Sequence, residues 1–207
     1  MIRDRNIDAL GISSTKLKAR QQYVIMKPDV AVDSIVAAGD VSSDLATATL
    51  AKTELDYPRN LLYTLTDNAS TSLIGTFTVV GTDQFGYTVT EVTDVTQATA
   101  VSGTQIFATI TSIAVDVTNG AAGDTCDVGV SIEADVASFG LPDEIAAVTD
   151  VKAITFIDSG AIAAQNIDST SVVIARNCYR PEQTVEVIDD YIIFYKSTAE
   201  NLSTTVQ

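Results

Sequence analysis

The chain has 207 residues, 46% of them hydrophobic, with a net charge of −15 and neither histidine nor tryptophan. That length suits one large domain or two small ones, with enough buried surface to fold without disulfide staples. The missing histidine removes the commonest general base and metal ligand and excludes Ser-His-Asp and Cys-His nucleophile systems.

Charge narrows the partners as well. Between Arg59 and Lys152 there is no basic side chain, while twelve carboxylates occur there. Such a segment cannot hold phosphate by charge, so no nucleic-acid partner is expected. The longest apolar runs, such as Tyr191 to Tyr195, are far too short to cross a bilayer as a helix. The opening Met-Ile-Arg-Asp-Arg-Asn lacks the apolar core of a secretory signal, so no membrane partner and synthesis in the cytoplasm are expected.

The first 27 residues hold Arg3, Arg5, Lys16, Lys18, Arg20 and Lys27 against Asp4 and Asp8, a net of +4 that leaves −19 for the rest. We read this stretch as a basic arm that lies on an acidic surface of a partner or neighbouring subunit. Gln22 to Met26 has the pattern of a short strand within it. Residues 29–57 alternate small and apolar residues with acids whose spacing fails the EF-hand offsets, so no calcium site is read there. A short helix is predicted over Val32 to Ala38, stopped by Gly39.

From residue 58 the pattern is β. Arg59 to Asp67 reads as a strand, and Thr71 to Val80 sets Leu73, Phe77 and Val79 on one face. Gly81 to Gly86 then makes a hairpin connection, and Tyr87 to Val95 returns. Thr104 to Val117 is a further strand, closed by Asn119-Gly120. Fourteen of the 27 threonines lie between 59 and 117, which suits a half-exposed pleated surface. Cys126, Val128, Val130 and Ile132 alternate with Asp127, Gly129, Ser131 and Glu133, an inside-outside pattern. Leu141 to Val148 is predicted as one short helix. Val151 to Ile157, Ser171 to Arg176 and Asp190 to Ser197 read as later strands. The fold class that follows is all-β: an antiparallel sandwich or barrel-like domain over residues 58–198. An extended N-terminal arm with short elements (1–57) precedes it, and a polar C-terminal tail (199–207) follows.

Chemistry is scarce. Cys126 lies on an apolar strand face and reads as an inert thiol. Cys178 has Arg176 and Arg180 nearby but no base beside it, and whether the two cysteines pair is left open. Acid pairs such as Asp143-Glu144 and Asp189-Asp190 are too common in this chain to single out a glycosidase pair. Gly81 to Gly86 joins two strands and opens no helix, so it is no phosphate cradle. No catalytic residue, cofactor or metal site is assigned.

Four pieces in order carry a resemblance: Pro58-Arg-Asn-Leu61, Gly75-Thr-Phe-Thr-Val-Val-Gly-Thr-Asp-Gln-Phe-Gly86, Thr88-Val-Thr-Glu91 and Val101-Ser-Gly-Thr-Gln-Ile-Phe-Ala-Thr-Ile-Thr-Ser-Ile113. Together they resemble a pattern in tailed-bacteriophage virion proteins, with glutamine at 105 where lysine is frequent. The resemblance covers residues 58–113 and not the N-terminal region. It implies a structural virion protein of the capsid decoration or cement type, which sits on the major capsid protein lattice, often as a homotrimer, and braces neighbouring capsomers. Under that reading Arg3, Arg5, Lys16, Lys18 and Arg20 of the arm set placement. Ile7, Leu10, Ile12, Leu17, Tyr23 and Ile25 supply grip on the lattice or on neighbouring copies. A tail-tube, neck or fibre component, a surface adhesin module and a carboxylate-only hydrolase remain the alternatives.

Overall fold

The computed structural model describes residues 19–26, 34–69, 72–97, 99–158, 161–186 and 190–198. It is nearly all β, built from antiparallel sheets into a sandwich-like domain. β1 (Ala19–Met26) is followed by β2 (Val36–Asp40), β3 (Glu54–Arg59), β4 (Leu61–Thr66), β5 (Ile74–Thr82) and β6 (Thr88–Thr96). Then come β7 (Val101–Ser102), β8 (Phe107–Thr118), β9 (Thr125–Val130) and β10 (Phe139–Gly140). The last third adds β11 (Val151–Asp158), β12 (Ala161–Ala164), β13 (Val172–Val173), β14 (Cys178–Tyr179) and β15 (Asp190–Thr198).

The strands form three sheets. A seven-stranded sheet runs β13-β14-β10-β3-β8-β5-β6, and two four-stranded sheets run β2-β9-β4-β7 and β1-β15-β11-β12. One core lies between the β3-β8-β5-β6 part of the long sheet and the β2-β9-β4-β7 sheet. Tyr63, Leu65, Phe77, Val79, Phe107, Ile113, Val115 and Val128 fill it. A second core lies against the β13-β14-β10 part, where Phe139 and Tyr179 meet Ile154, Tyr191, Ile193 and Tyr195 from the sheet that contains β1. The long sheet thus serves both cores.

Period-2 alternation explains the central strands. Leu73, Phe77 and Val79 are fully buried, as their spacing predicts, and Gly75 and Gly81 fall on the same inward face. The β5–β6 hairpin closes through Asp83, whose carboxylate accepts the N–H groups of Phe85 and Tyr87. Asn119 ends β8 with φ 64, the left-handed conformation that asparagine tolerates.

Several expectations are corrected. Residues 36–40 are a strand, not a helix: β2 pairs with β9 across a bulge between Val36 and Gly39. Ala38 sits there at φ 48 and donates its N–H to Asp127. Gly39 is required by close approach, since a Cβ there would come 2.9 Å from Cys126 Sγ. Ile35, Val36, Val41 and Ala48 belong to the first core, so the sandwich begins before residue 58.

Residues 141–147 form no helix. Asn177 holds them in an irregular path, donating from Nδ2 to the carbonyls of Leu141 and Asp143 and accepting the Ile145 N–H. Only a 3-10 turn at Val148–Asp150 follows. The predicted strand from Ser171 gives way after Val173 to a 3-10 turn at Ile174–Arg176, ended by Asn177 at φ 50. Ser131 is buried rather than outward, because β9 ends at Val130 and the chain turns to bond Asn60. Pro58 lies inside β3, and the strand read over residues 59–67 is broken at Asn60, where the chain passes from one sheet to another.

Candidate functional site

Arg59, Asn60, Glu91 and the 103–105 backbone meet along one buried polar seam. Asn60 is 1% exposed at the corner between β3 and β4. Its Nδ2 donates to the carbonyls of Gly103 at 2.9 Å and Val136 at 3.1 Å, and its Oδ1 accepts the Ser138 N–H at 2.8 Å. Its own backbone N–H bonds the Ser138 carbonyl and its carbonyl accepts the Ser131 N–H. One asparagine therefore fixes the 131–138 link between the two cores.

Arg59, before it, is fully buried, and a buried charge must be compensated. Nη2 donates to the Ser131 carbonyl at 2.9 Å, Nη1 lies 3.6 Å from Asp56, and the guanidinium carbon stands 4.8 Å from the centroid of the Phe139 ring. Phe139 belongs to the second core, so Arg59 links it to a strand that borders the first.

Glu91 points inward from β6 and is 5% exposed. Tyr63 donates its hydroxyl to it at 2.8 Å, and Oε1 accepts the N–H groups of Thr104 and Gln105. Burial, reinforced by the Glu91 charge, pushes the Tyr63 phenol well above its ordinary pKa. Gly103 passes so close that a Cβ there would land on the Glu91 carboxylate. Arg176 donates to the Thr104 carbonyl at 2.8 Å, and Gln84 Nε2 donates to the Arg176 carbonyl at 3.2 Å. Pieces separate in the sequence thus meet through side chains that hold backbone.

Other polar groups do similar work. Asp124 is fully buried and accepts N–H groups from Asn68, Ala69 and Ala121. Asp168, exposed, is held down to about pKa 2, first by the Thr170 hydroxyl and then by the N–H groups of Ser171 and Thr170. Asp143 accepts the Tyr195 hydroxyl at 2.9 Å. Both cysteines are buried and free. Burial pushes the Cys126 thiol up to about 11. It also raises Cys178, outweighing Arg176 and Arg180. An open cleft of about 450 Å³ at the end of β4, lined by Thr64 to Asp67, Gln97 and Ala100, presents one carboxylate. That carboxylate, Asp67, accepts the N–H groups of Ala69 and Leu73.

Of the eleven arm residues assigned to partner contact, Arg20, Tyr23 and Ile25 fall in β1, opposite Ser197, Phe194 and Ile192 of the chain's own β15. The arm read over residues 1–27 is thus shortened. Arg3, Arg5, Ile7, Leu10, Ile12, Lys16, Leu17 and Lys18 lie outside the described residues. The sequence reading missed the outer face of the β1-β15-β11-β12 sheet, where Ile157, Ile162 and Ile192 share one side. The unbroken Tyr191 to Tyr195 run was the available signal, because a half-exposed strand alternates with polar residues and this one does not. In comparisons with known proteins, no family model, no curated protein and no solved structure matches this chain.

Proposed function

We propose that the chain is a structural protein of a tailed-bacteriophage particle, of the decoration or cement type, made in the cytoplasm and bound to the outer lattice of the major capsid protein. The observation that carries this reading is the seam. Arg59, Asn60, Glu91 and Gly103 come from three of the four resembling pieces, and their side chains and backbone meet in one hydrogen-bonded cluster. Gln84, from the remaining piece, reaches the same region through Arg176. These four pieces thus act as one folding unit in this chain, which supports the reading. The buried carboxylates at the seam and at Asp124 are occupied by backbone N–H groups, which suits a scaffold better than an acid–base pair.

The attachment element in this reading is the basic N-terminal segment, with Arg3, Arg5, Lys16 and Lys18 placing it on acidic surfaces. Exposed ion pairs contribute about 0 to 1 kcal/mol each, so the apolar residues Ile7, Leu10, Ile12 and Leu17 supply much of the grip. The assembly is a homotrimer and the protein is not an enzyme. Negative-stain images of the purified protein mixed with expanded heads, assembled from the capsid protein of the same genome, test this reading. A coat over the whole lattice supports it; density confined to one vertex or a tail supports the neck or tail alternative, and bare heads refute both.

A further inference from the structure

β6 ends the seven-stranded sheet and pairs only with β5, in an unbroken register from Ile74↔Thr96 to Thr82↔Thr88. Just beyond the two ends of that register, Asp83 donates its N–H to the Tyr87 carbonyl and Gln97 donates to the Leu73 carbonyl. Main-chain direction alternates along an antiparallel strand, so Val89, Glu91, Thr93 and Val95 face β5. Thr88, Thr90, Val92 and Asp94 therefore turn their N–H and C=O groups to the other edge. Among the described residues no backbone group bonds them there. All four residues are exposed, Val92 at 65%.

Proteins blunt such edges with lysine, proline, a bulge or shortness. β6 has nine residues, with no basic residue, proline or glycine, and no bulge against β5. The other terminal strands are protected: β1 carries Arg20, β2 is bulged, and β7, β12 and β13 have four residues or fewer.

The sequence of the edge identifies what fits it. Laid antiparallel to a second β6 about Val92, Thr90 meets Asp94 of the second copy and Val92 meets its own counterpart. These residues all present main-chain groups to the seam, so residues 90–94 form about six hydrogen bonds. The chain already uses the Thr–Asp pair, since Thr76 donates its hydroxyl to Asp94 at 2.7 Å across β5 and β6. On the inner face Glu91 falls opposite Thr93. Other centres fit worse. About Glu91 or Asp94 a carboxylate meets its own copy, about Thr93 Asp94 meets Val92, and about Thr90 Asp94 runs past the strand to Gly86.

We propose that two copies pair β6 with β6, antiparallel about Val92, and so join their seven-stranded sheets across a two-fold axis. The contact is isologous and closes at two copies. It does not itself close a trimer; in the reading above it links neighbouring trimers. The inference does not rest on what the assembly coats.

The test is the mass of the full chain by sedimentation, without capsids, over a concentration series up to about 1 mM. It is compared with Val92→Lys and Thr90→Lys, which each add one positive charge on the same exposed face of an acidic chain. The register separates them. Val92→Lys sets two ammonium groups opposite each other and should halve the mass. Thr90→Lys sets an ammonium group opposite Asp94 of the second copy and should tighten the pairing by about twofold or more. Far-UV circular dichroism should be unchanged in both; Thr90→Asp, which opposes two carboxylates, serves if Val92→Lys does not fold. A full chain with the mass of Val92→Lys at every concentration, equal effects of the two lysine substitutions, or growth beyond a doubling would overturn the inference. Loss of capsid coating with the doubling intact would count against the proposed function instead.

Discussion

Asn60→Ala tests whether the seam holds the two cores together. The substitution removes two donor bonds and one acceptor bond at a residue 1% exposed. At about 1 kcal/mol net per hydrogen bond the loss is about 3 kcal/mol. Ser138, itself 1% exposed, would be left with a dry, unpaired N–H, which raises the expected total to about 4 kcal/mol. Urea unfolding followed by far-UV circular dichroism reads this directly, and the midpoint should fall with little change in slope. Asn60→Asp keeps the acceptor for Ser138 but loses both donors, so it should also be costly. Thr90→Ala, on the exposed face of β6, should change stability by less than about 0.5 kcal/mol. A loss below about 1 kcal/mol for Asn60→Ala would mean that water replaces the side chain and that the seam is not structural.

Other outcomes follow from the same geometry. Gly103→Ala should cost more than about 2 kcal/mol, since the added methyl meets the Glu91 carboxylate; a neutral melt would show that the 103–105 loop moves freely away. Val130→Asp should prevent soluble folding, and Ser131→Asp should be nearly as damaging, because Ser131 is fully buried against Ser102; soluble expression of Ser131→Asp at the wild-type level would contradict that packing. Ala38→Gly should raise stability by up to about 1 kcal/mol by relieving a left-handed alanine, and a clear loss in chemical denaturation would argue against the bulge. Alkali should destabilise the protein. The pKa values of Cys126, Cys178, Tyr63, Tyr179 and Tyr195 are all raised in the fold, so their protonated forms favour the native state. That contribution is complete below the unfolded values of 9.0 for cysteine and 10.0 for tyrosine and is lost as pH rises through the folded ones. Unfolding free energy should be flat from pH 7 to 8 and then fall by up to about 1.4 kcal/mol per pH unit for each group engaged; a flat profile to pH 11 would contradict the burial.

Local chemistry made much of the fold legible and long-range contacts made the rest opaque. Leu73, Phe77 and Val79 repeat every second residue, and the Asp83 turn follows at once, so β5 and its hairpin can be read directly. Val128 and Val130 are similar. Leu141 to Val148 has the composition of a helix, yet Asn177, distant in sequence, takes its backbone groups. β6 misleads in another way: Glu91 is buried by four donors that the sequence does not reveal, while Val92 is 65% exposed on the opposite face. The candidate site shows the same split. Its four pieces are visible as strings, but only the β3–β4 corner brings Asn60 to Gly103. The apolar outer face needed the pairing of β11, β12 and β15 to appear.

The central claim, that this chain coats a capsid lattice, is tested most directly by the saturation stoichiometry of its binding to expanded heads assembled from the capsid protein of the same genome. Heads are sedimented with increasing protein, and the bound mass per capsid subunit is measured. Saturation at a fixed ratio to the capsid subunits, the same on heads with and without tails, is the predicted result. Saturation at a few copies per particle, or no co-sedimentation at any concentration, would contradict it.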